Sequence, residues 1–228
     1  MNNRILQRSE ESRRALLKGS LWAAPVVVST CLVPAYAASV CPSYEKRFDA
    51  SWTLENPVQG SLYSPKANKV YRGADNVDYF ISSTTANPGG IALVRYSTTI
   101  SSGGEALGAL RAGRTYSTQY GITSLPANAP NTLHPTMRVY LIDPQGNEVA
   151  ASRSAYSTSS SPASGVLGVP LAPKNNRIIT QRLQSPPFSF QAVEGEYRWI
   201  VEFEVPSRVS TNFLAAGIGV SAPIFICA

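Results

Sequence analysis

Apolar and polar residues alternate singly along most of the chain, in short runs separated by Gly, Pro, Asn and Ser. A period of two marks a strand with one buried face. The clearest run is Glu196 to Val205. Tyr197, Trp199, Val201, Phe203 and Val205 fall on one side, and Arg198, Glu202 and Glu204 on the other, with Ile200 an apolar exception. Glu194-Gly195-Glu196 reads as a turn before it, and Pro206 ends it by removing a ladder donor. The same logic predicts a strand through Phe48, Ala50, Trp52 and Leu54 that stops before Pro57. Val77, Tyr79 and Ile81 line one face of the next. Further strands are predicted over Ile91–Ile100, Arg114–Ile122 and Met137–Ile142. The turn Asp143-Pro144-Gln145-Gly146-Asn147 then opens a hairpin into Glu148–Ser152. Ile178–Leu183, Phe188–Val193 and Ile218–Cys227 complete the set. About ten strands with no helical period predict an all-β sandwich. Ser152 to Pro173, nearly all Ser, Ala, Gly, Pro and Thr, predicts a long exposed loop, and Leu125 to Pro135 a second.

The first 37 residues follow a different pattern. Arg4, Arg8, Arg13, Arg14 and Lys18 give a basic start, followed by a weakly apolar stretch from Leu21 to Val33. Ala35-Tyr36-Ala37 then places small residues where a signal peptidase needs them, so that cleavage leaves Ala38 first. The organisation predicted is a helical signal segment over 1–37 and a β-sandwich domain over 38–228. No uninterrupted run of about 20 apolar residues exists, so no permanent membrane span is expected.

Ser12-Arg13-Arg14-Ala15-Leu16-Leu17-Lys18 resembles the twin-arginine export motif, with Leu16 where Phe is commoner. Lys18-Gly19, Trp22 to Val27 and Pro34 to Ala38 extend the likeness. They resemble the leaders of small twin-arginine-exported proteins of high-GC Gram-positive bacteria. The resemblance covers about a sixth of the chain. It implies a Tat translocase as partner during export, and folding before any disulfide forms. The alternative is an ordinary basic flank of a general secretory signal. Val28-Ser29-Thr30-Cys31 faintly resembles a lipoprotein box, but Thr30 fits it poorly and Leu32-Val33 continues the apolar run. Cys31 therefore reads as leaving with the leader.

Composition sharpens this picture. Only 15% of residues are charged, below the roughly 25% of an average domain. The leader holds five basic and two acidic residues, so the net charge falls from +6 for the chain to +3 for residues 38–228. No Lys/Arg run remains as a nucleic-acid footprint. Cys41 and Cys227 stand at the two ends of that region and are expected to bond in an oxidising location. Two buried thiols, or pairing between molecules, are the alternatives. A bridge between the ends favours one sandwich over two small ones. The Asp143-Pro144-Gln145-Gly146-Asn147 hairpin and Gly195-Glu196-Tyr197-Arg198-Trp199 strand resemble those of immunoglobulin-like domains.

Candidate chemistry is sparse. His134 is the single histidine, it precedes Pro135, and no Gly-x-Ser-x-Gly motif accompanies it. One histidine and two bonded cysteines do not make a usual zinc site, so neither metal nor cofactor is expected. Glu202 and Glu204 share a strand face about 7 Å apart, a spacing open to carboxylate catalysis but commoner on a solvated surface. Asp75 and Asp78 are oxygen donors near a strand start, better read as turn residues than as a calcium site. The excess is in Tyr, 11 against one His. Tyr63, Tyr71, Tyr96, Tyr116, Tyr120, Tyr140 and Tyr156 suit either strand packing or a contact surface.

The function expected is a non-catalytic, exported module of the cell envelope or extracellular space, with a cell-wall glycan or surface protein as partner. A secreted hydrolase and a subunit of a surface assembly are the alternatives. Changing Arg13 and Arg14 together to Lys is expected to stop export. The measurement is the amount of processed chain, beginning at Ala38, found outside the cytoplasm.

Overall fold

The computed structural model describes residues 41–103, 109–126, 132–173, 178–208 and 214–228. The export motif Arg13-Arg14 and the cleavage residues Ala35, Ala37 and Ala38 lie outside these described residues. Two sheet layers face each other, with mainly antiparallel pairing. In spatial order the first layer contains β11 (Val166–Gly168), β10 (Ser154–Ser157), β9 (Thr136–Ile142), β14 (Gly195–Val205), β5 (Ala92–Ser102) and β2 (Thr53–Gln59). The second layer has two halves. One runs β12 (Leu183–Gln184), β7 (Gly121–Ser124), β16 (Ile218–Ser221), β4 (Asp78–Ser82), β3 (Lys69–Arg72). The other runs β1 (Tyr44–Glu45), β17 (Ile224–Cys227), β6 (Thr115–Gln119), β13 (Phe188–Gln191). A short parallel pair, β8 (Thr132–Leu133) with β15 (Leu214–Ala215), stands apart. This is the expected all-β sandwich, with two layers about one core.

The halves of the second layer join through three kinked strands. β6 and β7 meet at Tyr120, β16 and β17 at Ala222-Pro223, and β12 and β13 at Ser185-Pro186-Pro187. Serine hydroxyls accept the donors left at the break. Tyr120 N donates to Ser185 Oγ at 3.0 Å, and Gly121 N to Ser221 Oγ at 2.8 Å. With each interrupted strand counted once and the two- and three-residue strands β1, β8, β11 and β15 set aside, about ten remain; eight match predicted strands, while β3 and β10 have no predicted counterpart.

β14 lies between β5 and β9 along its length, and its inward residues centre the core. Tyr197, Trp199, Val201, Phe203 and Val205 are all buried, as their alternation predicts. Trp199 meets three rings of the opposite layer: Tyr120 at 5.2 Å, Phe225 at 6.1 Å and Phe188 at 6.5 Å between centroids. Phe80 of β4 stacks on Tyr96 of β5 at 3.9 Å and leans on Phe203 at 5.6 Å. Such ring pairs add about 0.5–1.5 kcal/mol each to simple area burial. Cys41 and Cys227 are bonded, with Cα atoms 5.7 Å apart, and tie the start of the domain to β17.

Several expectations need correction. The first predicted strand begins only at Thr53, because Phe48 to Ser51 form a bend and turn. Glu148–Ser152 carries one bridge to Ile142 and a turn, and the strand that returns along β9 is β10. Of Ile178–Leu183 only Leu183 is in a strand. Three more concern β4, β2 and the segment after Ser152. In β4 the inward residue is Phe80, which joins the core cluster, whereas Tyr79 and Ile81 point to the outer face. Both faces of β4 are buried because 178–181 crosses over the outer one. Ala74 N donates to Ile179 O at 2.8 Å, and Thr123 Oγ1 to Thr180 O at 2.6 Å. Second, β2 runs past Pro57 to Gln59. It is an edge strand with a register shift between Glu55 and Gln59, where a missing donor is tolerated. Third, Ser152 to Pro173 is not one exposed loop. Tyr156 is fully buried, its hydroxyl 2.8 Å from that of Tyr120, and it anchors β10 against β9. β11 then adds a parallel edge strand. One large side chain in the core and a shared backbone ladder order a segment whose composition alone reads as loop. The second predicted loop likewise contains β8.

Trp199 Nε1 is buried without a hydrogen-bond partner among the described residues, so the indole acts through packing. Trp199→Ala is expected to lower stability by about 3–5 kcal/mol. Trp199→Phe is expected to cost markedly less. Denaturant unfolding of the two variants measures both.

Candidate functional site

The carboxylates singled out in the sequence lie on the outer face of the first layer. Glu202 accepts from Arg95 through Nη2 at 2.8 Å and Nε at 3.0 Å, and Arg95 also reaches Glu55 at 3.5 Å. Glu204 accepts from Arg138 at 2.9 Å. Arg153 lies over the Tyr140 ring at 4.1 Å and pairs with Glu148. Burial first, and then the Glu202 charge, push the Tyr140 hydroxyl above its ordinary pKa. The face is a lattice of ion pairs. Half-exposed pairs of this kind contribute about 0–1 kcal/mol each. General acid–base work needs a carboxylate free to trade a proton with substrate, and both of these are held by guanidinium groups.

His134 is half-buried, with Nδ1 2.9 Å from Thr158 Oγ1, and burial lowers its pKa. Asp75 is a turn residue. Its Oδ2 accepts from Tyr79 Oη and Gln181 N, each at 2.8 Å, and its Oδ1 from Val77 N at 3.2 Å. Asp78 pairs with Arg72 at 3.0 Å. The two acids serve separate partners and form no calcium pair. Among the described residues no group of three or more His, Cys, Asp or Glu gathers to hold a metal. Of the seven tyrosines, Tyr96, Tyr116, Tyr120, Tyr140 and Tyr156 are buried, while Tyr63 and Tyr71 reach the surface.

A cleft follows from the break in the second layer. β1 and β4 flank the same side of the long β16–β17 strand, β4 pairing up to Ser221 and β1 from Ile224 onward. Lys46 N donates to Pro223 O at 3.0 Å. Between them the two partners diverge and leave a cleft of about 450 Å³. One wall is the turn through Glu45, Lys46, Arg47 and Phe48; the other is the hairpin tip through Arg72, Asn76, Val77 and Asp78. Ser221, Ala222 and Ile224 form the floor.

Both walls are internally braced. In the first, Lys46 Nζ donates to Ser51 Oγ at 2.7 Å and lies 3.7 Å from Asp49. Ser51 N donates to Asp49 Oδ1 at 2.9 Å, and Trp52 Nε1 to Arg47 O at 2.8 Å. Lys46 is buried, its ammonium held by the exposed Asp49 and Ser51, while Arg47 and Glu45 are exposed at the rim. In the second, Gly73 N donates to Val77 O at 2.7 Å, Asn76 holds a positive φ of 61°, and Asp75 accepts its three bonds. A site with fixed walls binds without a large ordering cost. Its chemistry is mixed: apolar surface from Phe48, Val77 and Ile224, with charges of both signs at the rim. The sequence reads Asp75 and Asp78 as turn residues but places Phe48 in a strand, and no local pattern says that these two segments meet beside Pro223.

No family model matches the chain, and no curated protein matches it. Among solved structures it is similar to the K3 cleaved adhesin domain of Lys-gingipain from Porphyromonas gingivalis w83. That match has 12% identity over 81% of this chain and 98% of that one, with a TM-score of 0.35. It is also similar to a carbohydrate-binding module of the β-sandwich superfamily, at 9% identity over 78% of this chain and 57% of the other, TM-score 0.30. Likeness at this level carries no argument about ligand or activity.

The hairpin wall carries its own pH dependence. Burial opposes the Asp75 charge, but hydrogen bonds from Tyr79, Gln181 N and Val77 N outweigh it and hold the pKa below the usual carboxylate value. A depressed folded-state pKa gives stability that is fully present above the unfolded pKa of about 3.9 and is lost as pH falls through the folded value. Asp75→Asn is expected to flatten that acid limb. Unfolding midpoints measured from pH 6 down to about pH 2 test this.

Proposed function

We propose that the chain is an exported, non-catalytic module that acts at the cell envelope or outside it and binds a wall glycan or surface protein. The observation carrying this reading is the braced cleft between the β1–β2 turn and the β3–β4 hairpin. It is concave, part apolar and rimmed by Arg47, Glu45 and the Arg72–Asp78 pair, as a site for a polar ligand with apolar faces should be. The Cys41–Cys227 bond supports an oxidising location. Among the described residues no helix is long and apolar enough to cross a membrane. The arginine pairing of Glu202 and Glu204 supports binding over hydrolysis, because neither carboxylate stands free beside a cavity built for substrate. In this reading the leader, with Arg13 and Arg14, brings the folded domain to the Tat translocase.

The test is co-sedimentation of the exported chain with walls isolated from producing cells. Retention on the walls is expected. Val77 is 37% exposed at the hairpin tip, so Val77→Arg fills the cleft without disturbing the core. It is expected to weaken retention about tenfold or more at an unchanged melting temperature. Full retention by that variant rules the cleft out as the site.

A further inference from the structure

A second surface feature lies at the far end of the β3–β4 edge. Beyond β4 the chain continues to Ala86, which bridges Leu62 on one side and Ser207 on the other. Three segments are thereby knitted into a small platform. Tyr63 N donates to Thr85 O at 2.9 Å, Asn87 N to Ser61 O at 2.9 Å, Ala86 N to Pro206 O at 3.0 Å and Arg208 N to Ala86 O at 3.0 Å. Tyr63 stands on this platform and is 59% exposed, whereas Arg208 beneath it is only 7% exposed. The guanidinium lies 3.9 Å from the ring centroid. A cation at that distance fixes the ring through cation–π attraction. One ring face is covered, so the exposed area belongs to the other face and the rim. Leu62 and Ala86 turn inward to the core cluster, which leaves their neighbour Tyr63 on the outer side.

We propose that Tyr63 is a stacking site for a pyranose ring, so that the ligand of this module is a polysaccharide. This rests on the reading of the chain as an envelope-binding module. A pyranose has a flat face of C–H bonds and a rim of hydroxyls. The Tyr63 ring supplies the matching apolar plane, held with little conformational freedom left to lose. The groups beside it are neutral hydrogen-bonding ones: the Asn87 amide, whose Nδ2 donates to Ser61 Oγ at 3.1 Å, and the Ser207 hydroxyl, which donates to Asn87 O at 3.3 Å. A protein partner would need an interface of roughly 1,000 Å² or more, with several aromatic or aliphatic anchors. A single backed ring amid small polar groups has the size of one sugar. The cleft wall and the platform are joined by β4 and the chain after it, with Asp78 and Ala86 eight residue steps and so at most about 27 Å of backbone apart. An extended glycan chain spans that distance, and contact at both ends would tighten its binding beyond either site alone.

The experiment is co-sedimentation of the exported chain with three insoluble probes: chitin, cellulose and purified peptidoglycan. Tyr63→Ala, Tyr63→Phe and Val77→Arg are run beside it. The expected result is retention on at least one probe. Tyr63→Ala should weaken it about tenfold or more, and Tyr63→Phe, which keeps the plane, should stay within about twofold. Tyr63→Ala also removes the ring that covers Arg208, so it is expected to melt slightly below the parent, while Tyr63→Phe and Val77→Arg should melt with it; retention is therefore compared at a temperature where all four are folded. Undiminished retention by Tyr63→Ala overturns the stacking site, and the Val77→Arg result then reports on the cleft alone. Failure of the parent to bind any of the three overturns the polysaccharide assignment, while whole walls still decide the cleft reading.

Discussion

Pro223, like Pro186 and Pro187 two strands away, cannot donate a backbone hydrogen bond, and the second layer is interrupted along the line these residues share with Tyr120. The strand from Ile218 to Cys227 runs on either side of Pro223 but bends there. Its neighbours bend at the same level, at Tyr120 and at Ser185-Pro186-Pro187, with serine hydroxyls standing in for ladder acceptors. Because the layer breaks along a line, it offers two separate edges to its flanking strands. β4 takes one and β1 the other. The cleft is the space between two partners that cannot both follow a bent strand. A concavity on the sandwich edge is thus a product of backbone chemistry in the last strand, with the side chains only finishing its walls.

What the sequence reveals of this is uneven, for physical reasons. β14 is legible because both of its neighbours pair with it in register and one of its faces is wholly buried, so alternation maps directly onto burial. β4 is misread because both of its faces are covered, and then Phe80 is indistinguishable from Tyr79 and Ile81 by pattern. Ser152 to Pro173 is misread because composition weighs every residue equally, whereas order there depends on one, Tyr156, and on a ladder whose other half is β9. The cleft and the Tyr63 platform are not legible at all. Each is assembled from turns distant in sequence, and period-two reasoning speaks only about residues within one strand. The cysteine pair was legible because a bond between chain ends is a statement about compartment chemistry rather than about local geometry.

The functional picture is consistent with how charge is distributed. On the broad outer face of the first layer Arg95 pairs with Glu202 and Arg138 with Glu204, so both of its carboxylates singled out in the sequence are already engaged. The exposed rings and rim charges lie instead along the β3–β4 edge. A module of this build would carry its binding groups on one margin and keep its widest face inert, which suits a domain that must lie beside a polymer without adhering to every charged surface it meets.

The bond between Cys41 and Cys227 also has a mechanical meaning. It clamps the polypeptide where it enters β1 and where it leaves β17, closing a loop of sequence separation 186. Tension applied between the two ends of the domain passes through two sulfur atoms and bypasses the β-ladders altogether. A domain attached to a wall at one margin and pulled at its termini by flow or by a growing cell would keep its strands unloaded for as long as that bond stays oxidised. Reduction, and not force, would then be what exposes the sandwich to unravelling.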